Sequence, residues 1–263
     1  MKGTDVNMEY GLIGEKLGHS FSKTIHEKLA DYTYEITPLT REEFRPFMEK
    51  RAFKAINVTI PYKKDVIPYL DDMDDNAKRI GAVNTIVHTG GRLIGHNTDF
   101  SGFLYMVQHN NIVIGGKKVV VLGNGGAAQA VRAVLRYLYA EKIIAVNIIP
   151  DNDAISYEEC LTKHTDAQVL VNTTPVGMYP KVDDSPVDIS LFPKCEAVID
   201  IVYNPLQTRL LLQAAELGIK GVNGLEMLVA QAKYAVEFFL DKKIDETETD
   251  RIYQEILAEK SGL

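Results

Sequence analysis

The sequence predicts an α/β fold in two domains, one of them an open parallel sheet. Three observations carry this. Residues Lys117 to Leu122 form an almost purely aliphatic segment, the mark of a strand covered on both faces. Gly123-Asn124-Gly125-Gly126 follows it directly and opens into a helical stretch. Short apolar segments alternate with helical ones along the chain, but their pattern changes near residue 100.

Tyr10 to Ile13 reads as a buried strand, Lys23 to Ala30 as a helix and Tyr32 to Ile36 as a second strand. Thr40, with Glu43 three residues on, is a capping box for a helix toward Lys50. Ala55 to Thr59 is a third strand, stopped by Pro61, which has no N–H for a central ladder. Ala82 to His88 and Leu93 to His96 pair as a hairpin around Gly90-Gly91. Beyond the aliphatic strand, a helix is expected over Ala127 to Tyr139. Further strands are expected at Ile143 to Asn147, Val169 to Asn172 and Ala197 to Ile201, joined by right-handed crossovers. Helices over Leu225 to Leu240 and Glu246 to Lys260 end the chain. The expected division is residues 1–98 with 225–263 as one domain, and 99–224 as the other, parallel-sheet domain.

Composition narrows the function. The chain has 263 residues, 46% hydrophobic and 25% charged, the balance of a globular protein rather than a disordered one. A formal net charge of -7 sets the surface against phosphate backbones, so no nucleic-acid partner is expected. No apolar run approaches the roughly 18 residues of a membrane helix. Met1 to Asn7 is polar and lacks a signal-peptide core. Cys160 and Cys195 stand apart, as structural thiols of a reducing compartment. The expected setting is therefore cytoplasmic, and neither the cysteines nor the six histidines have metal-ligand spacing.

The glycine-rich turn is the first chemical signal. Gly123-x-Gly125-x-x-Ala128 fits the dinucleotide fingerprint of a Rossmann-type fold. The first glycine permits a tight strand-to-helix turn, the second lets the pyrophosphate approach the backbone, and the small third residue lets helix and strand pack closely. Gly123, Asn124, Gly125, Gly126 and Ala127 are the cofactor candidates here. Asn147, at the end of the next strand, is the candidate beside the adenosine ribose. Arg132 and Lys142 are the cations nearest in sequence.

Four polar clusters stand at strand ends before this turn: His19 to Ser22, Asn57 to Lys63, Gly81 to Thr85 and Asn97 to Gly102. Singly, each has a plain structural reading: Ser20 or Ser22 as a helix cap, Asn97 and Asp99 as turn formers, Lys63 as a solvated cation. Together they bring hydroxyls, amides, an ammonium and a carboxylate, a set suited to a polyhydroxylated ligand.

At these motifs the sequence resembles the shikimate dehydrogenase family. The family's S-x-S stands as Ser20-Phe21-Ser22, its N-V-T-x-P-x-K as Asn57 to Lys63, its G-A-x-N-T as Gly81 to Thr85 and its N-T-D-x-x-G as Asn97 to Gly102. The glycine turn matches, as does N-x-T-P-x-G-M at Asn172 to Met178. Asp200 to Leu210 and Asn223 to Ala232 resemble two further family blocks, so the matches run in order over residues 11 to 235. The resemblance implies reversible NADP(H)-dependent reduction of 3-dehydroshikimate to shikimate in aromatic amino-acid biosynthesis, by a monomer or homodimer. It implies Lys63 as acid/base and Asp99 as its partner. Asn84, Thr59 and Gln231 would read hydroxyls, and Ser20 and Ser22 the carboxylate, with Tyr203 closing the pocket. Thr173, Val202 and Gly224 would line the nicotinamide.

The sequence also departs from the family pattern. Lys16 and Lys23 stand where the family has proline, and Glu226 where it has glycine. The arginine that grips the NADP 2′-phosphate aligns with Ile148, which leaves both NADP and NAD open. Ser22, where quinate-accepting relatives carry threonine, favours shikimate over quinate. A quinate/shikimate dehydrogenase using NAD, and a non-catalytic sensor on the same fold, are the alternatives.

Overall fold

The computed structural model describes residues 8–17 and 21–261. The elements are β1 (Tyr10–Gly14), α1 (Ser22–Leu29), β2 (Tyr34–Pro38), α2 (Arg41–Lys50), β3 (Ala55–Val58), β4 (Asp72–Met73), α3 (Asp75–Ile80), β5 (Thr85–Thr89), β6 (Arg92–His96) and α4 (Thr98–His109). They continue as β7 (Lys118–Leu122), α5 (Gly126–Tyr137), β8 (Lys142–Val146), α6 (Tyr157–Lys163), β9 (Val169–Asn172), β10 (Ala197–Asp200), α7 (Arg209–Glu216), β11 (Lys220–Asn223), α8 (Leu225–Leu240) and α9 (Glu246–Ser261). Two compact units result, one of residues 1–102 with 229–263, the other of residues 103–228.

The first unit is built on a six-stranded mixed sheet of order β2-β1-β3-β5-β6-β4. β1 pairs in parallel with β2 and β3, whereas β5 runs antiparallel to both β3 and β6. Alternation along the strands sends their side chains to two cores. Ile13, Ile56, Val58 and Ile86 pack with Phe44 and Met48 of α2, and Leu12, Tyr34 and Ala55 pack with Ala235 and Phe239 of α8. α2 opens with the expected capping box: Thr40 Oγ1 accepts from the Glu43 N–H at 3.3 Å, and Glu43 Oε2 accepts from the Thr40 N–H at 2.9 Å.

The second unit is an all-parallel five-stranded sheet of order β11-β10-β9-β7-β8. Val119, Val120, Val121 and Leu122 are fully buried, as expected of a strand covered on both faces. The strand order reverses at β7, whose neighbours are β8 and β9. In open α/β sheets that reversal opens a crevice at the strands' carboxyl ends, where ligands bind.

The structure shifts several boundaries and adds elements. α1 begins one residue earlier and β2 two residues later than the pattern suggests. The hairpin strands are Thr85–Thr89 and Arg92–His96, because Ala82 to Asn84 belong to the approach from α3. The segment from Asn97, expected as a turn, caps a twelve-residue helix: Asn97 Oδ1 accepts from the Phe100 N–H at 3.3 Å. Among the described residues, no helix is long and apolar enough to cross a membrane.

Candidate active site

In the first unit three of the four polar clusters converge, those of Asn57 to Lys63, Gly81 to Thr85 and Asn97 to Gly102. Lys63 lies in the turn after β3, fixed where its carbonyl accepts from the Val83 N–H at 2.8 Å. Its Nζ is 2.5 Å from Asp99 Oδ2, with only 16% and 11% of the two side chains exposed. Asp99 sits in the first turn of α4, at the end of a helix that favours an anion. Its other oxygen accepts from Asn84 Nδ2 at 2.9 Å. Asn84 is itself pinned, since its Oδ1 accepts from the Thr98 N–H at 2.7 Å and its Nδ2 lies 3.0 Å from Thr98 Oγ1. Thr98 Oγ1 lies 3.4 Å from Gln231 Oε1 on α8. The carboxylate thus holds the ammonium with one oxygen while its position is set through the other.

A second layer supports this group. Asn57 Nδ2 donates to Thr85 Oγ1 at 3.0 Å and to the Asn84 carbonyl at 3.2 Å, and its Oδ1 accepts from the Tyr34 hydroxyl at 2.7 Å. Tyr34 stacks on His26 with ring centroids 4.0 Å apart. His26 is fully buried, and burial pushes its pKa down to about 3, so its ring is neutral. Thr59 stands in the same turn as Lys63, its N–H donating to the Ile13 carbonyl at 2.9 Å. Ser22 is the first residue of α1. Ser20 lies outside the described residues.

In the second unit the cofactor candidates stand at the carboxyl ends of the strands, with the glycine turn at the strand reversal itself. Gly123 has φ +103°, a left-handed value open to glycine, and a Cβ there would meet Thr173 Oγ1 at 2.6 Å. The Gly123 N–H donates to the Val146 carbonyl at 2.7 Å, which sets the turn beside Asn147. Thr173 closes the other side, its N–H and hydroxyl both donating to the Leu122 carbonyl. Gly224 follows β11 so closely against β10 that a Cβ would lie 2.0 Å from the Ile201 carbonyl oxygen, and its N–H donates to Val202 at 3.0 Å. Tyr203 follows Val202, and burial raises its phenol pKa.

The turn fits a dinucleotide pyrophosphate. α5 starts at Gly126 with Gly125 as N-cap, without a side-chain cap and without an acid in its first turn. A Cβ on Gly125 would meet nothing within 4 Å. Its first N–H groups and the positive helix end are left for an anion, with Ala127 among the residues that supply them.

Thr85, Thr98 and Asp200 are site residues that the sequence did not single out. Thr85 and Thr98 stood inside recognised clusters, and Asp200 inside a recognised block. Asp200 is fully buried and accepts from Asn172 Nδ2 at 2.9 Å, from the Val202 N–H at 3.1 Å and from Thr208 Oγ1 at 2.7 Å. It ties the carboxyl ends of β9 and β10 together, and burial raises its pKa to about 6.

A parallel sheet with a glycine turn at its strand reversal, in one chain with a unit that holds a part-buried lysine–carboxylate pair, defines a two-domain α/β oxidoreductase that uses a nicotinamide dinucleotide. Comparison with known proteins names the family. The family model of the shikimate dehydrogenase substrate binding domain matches residues 12–86. A shikimate dehydrogenase (NADP(+)) of Clostridium beijerinckii is 41% identical over 93% of this chain and 96% of its own. The crystal structure of a chorismate mutase/shikimate 5-dehydrogenase fusion protein from Clostridium acetobutylicum is 38% identical, with a TM-score of 0.91 over 98% of this chain and 100% of that one. The Thermus thermophilus shikimate 5-dehydrogenase, solved in complex with NADP(H) and shikimate, is 32% identical, with a TM-score of 0.84 over 94% of this chain and 99% of that one. The chain belongs to the shikimate dehydrogenase family.

Proposed function

We propose that the chain catalyses the reversible reduction of 3-dehydroshikimate to shikimate with a nicotinamide dinucleotide, which is NADP(H) in its named relatives. The observation that carries the reading is the Lys63–Asp99 pair: an ammonium held at 2.5 Å by a carboxylate that Asn84 fixes from its other side. A nicotinamide dinucleotide, when bound, supplies or accepts the hydride. The protein's task is the proton and the placement. In the reducing direction Lys63 Nζ, as an ammonium, donates its proton to the oxygen of the ketone as the hydride reaches the carbon. In the oxidising direction Lys63, as the amine, takes the hydroxyl proton. Asp99 orients Nζ and accepts a hydrogen bond from a neighbouring substrate hydroxyl. Asn84, Thr59 and Gln231 read the remaining hydroxyls, Ser20 and Ser22 bind the carboxylate, and Tyr203 covers it. Gly123 to Ala127 cradle the pyrophosphate, Asn147 lies toward the ribose, and Thr173, Val202 and Gly224 line the nicotinamide.

The proposed setting is cytoplasmic aromatic amino-acid biosynthesis, the working form a monomer or homodimer. The test is Lys63→Ala. Steady-state rates with shikimate should show kcat lower by at least about 10²-fold, the low end of a general acid–base contribution, with the fold intact by circular dichroism. A rate within a few-fold of wild type rejects the proton-transfer role. The same assay with quinate sets the substrate: higher kcat/KM for quinate than for shikimate rejects shikimate as the preferred alcohol.

A further inference from the structure

The glycine turn carries a side-chain cluster that the proton chemistry does not use. Asn124, between the first two glycines, donates from Nδ2 to the Asp151 carboxylate, at 3.1 Å to Oδ2 and 3.4 Å to Oδ1. The other end of its amide is taken: Oδ1 accepts from Arg132 Nη1 at 3.0 Å and from Gln129 Nε2 at 3.4 Å. Asp151 is held by its own loop, where Oδ1 accepts from the Asp153 N–H at 2.8 Å and its N–H donates to the Ala154 carbonyl at 3.0 Å. That loop is tied back to β8, with Ile155 donating to Ala145 and Asn147 donating to Ile155, both at 2.9 Å. Between β8 and Asp151 stand Ile148 and Ile149, 81% and 77% exposed.

The end of the second strand is where a dinucleotide fold reads the adenosine ribose. An acid there accepts from the 2′-hydroxyl of NAD, whereas an arginine accommodates the 2′-phosphate of NADP. This chain offers apolar side chains at 148 and 149 and brings a carboxylate to the turn. A 2′-phosphate at that place meets a like charge and finds no guanidinium on the strand side, while on the helix side Arg132 gives one N–H of its guanidinium to Asn124. We propose that Asp151, positioned by Asn124, reads the ribose hydroxyls, so that the chain binds NAD(H) at least as tightly as NADP(H). The inference rests on the reading of this unit as a nicotinamide dinucleotide site and sharpens its cofactor.

The test is fluorescence titration of NADH and NADPH into the full chain without shikimate, so that the readout is binding alone. The wild type should show a Kd for NADH equal to or below that for NADPH. Asp151→Asn keeps the shape and removes the charge. It should tighten NADPH by about tenfold and weaken NADH, with an unchanged Tm because the side chain is exposed. NADPH binding tenfold tighter than NADH in the wild type overturns the proposal. So does an Arg132→Gln variant that loses tenfold in NADPH affinity alone, since that assigns the phosphate to Arg132. Neither dinucleotide binding overturns this inference and the dehydrogenase reading together. Binding of both without oxidation of shikimate removes only the substrate reading.

Discussion

Acid should weaken the first unit through one residue, His26. The imidazole is fully buried against Tyr34, and burial lowers its pKa from 6.5 to about 3. In the unfolded chain the same ring titrates near its ordinary value. Below pH 6.5 the unfolded state therefore binds a proton that the folded state refuses until about pH 3. The stability tied to the neutral ring is fully present above pH 6.5 and falls away as pH drops through that window. At pH 5 protonation favours the unfolded chain by a factor of about 30, a loss of about 2 kcal/mol relative to pH 7.5. Native-state hydrogen exchange, read at the amides of β1 and β2 after correction for intrinsic rates, measures it in this unit alone. His26→Phe supplies the reference, because phenylalanine keeps the stacking and cannot titrate. The free-energy gap between wild type and variant should shift by about 2 kcal/mol in favour of the variant between pH 7.5 and pH 5. A gap that stays constant to within about 0.5 kcal/mol across that range refutes the reasoning. The outcome bears on the site as well, since the Tyr34 hydroxyl that His26 backs donates to Asn57, and Asn57 supports Asn84.

Two further outcomes follow from the geometry. Asp99→Asn leaves Lys63 without its charged partner and should lower kcat by at least about 10²-fold, while the melting temperature moves little; activity near wild type in a steady-state assay would show that the carboxylate is dispensable. Gly123→Ala forces a side chain onto φ +103° and within 2.6 Å of Thr173 Oγ1, so dinucleotide affinity measured by titration should drop more than about tenfold, and unchanged affinity would mean the turn has room that the structure denies.

The most legible parts of the sequence are those where one physical demand acts alone. β7 must be apolar on both faces, and nothing in Val119 to Leu122 competes with that reading. The capping box at Thr40 is likewise a local hydrogen-bond pattern. α4 was hidden because Asn97, Thr98 and Asp99 are turn formers by composition. The same short polar side chains also cap helices, and only the Phe100 N–H bonded to Asn97 decides between the two. β11 was missed because Lys220 and Gly221 are exposed and Val222 is its one buried residue, so no alternation could show. At the site, Lys63, Asn84 and Asp99 were legible as polar residues at strand ends. The roles of Thr85 and Thr98 were not, because each holds a neighbour in place through contacts between segments distant in sequence.

The two-ended grip on Asn84 constrains how this protein can drift. Its oxygen serves the Thr98 N–H and its nitrogen the Asp99 carboxylate, so each single replacement fails at one end. Aspartate would set a second negative charge against Asp99, and leucine would strand both partners in a buried place. Positions 84 and 99 are therefore expected to vary jointly or not at all among descendants that keep the lysine at 63.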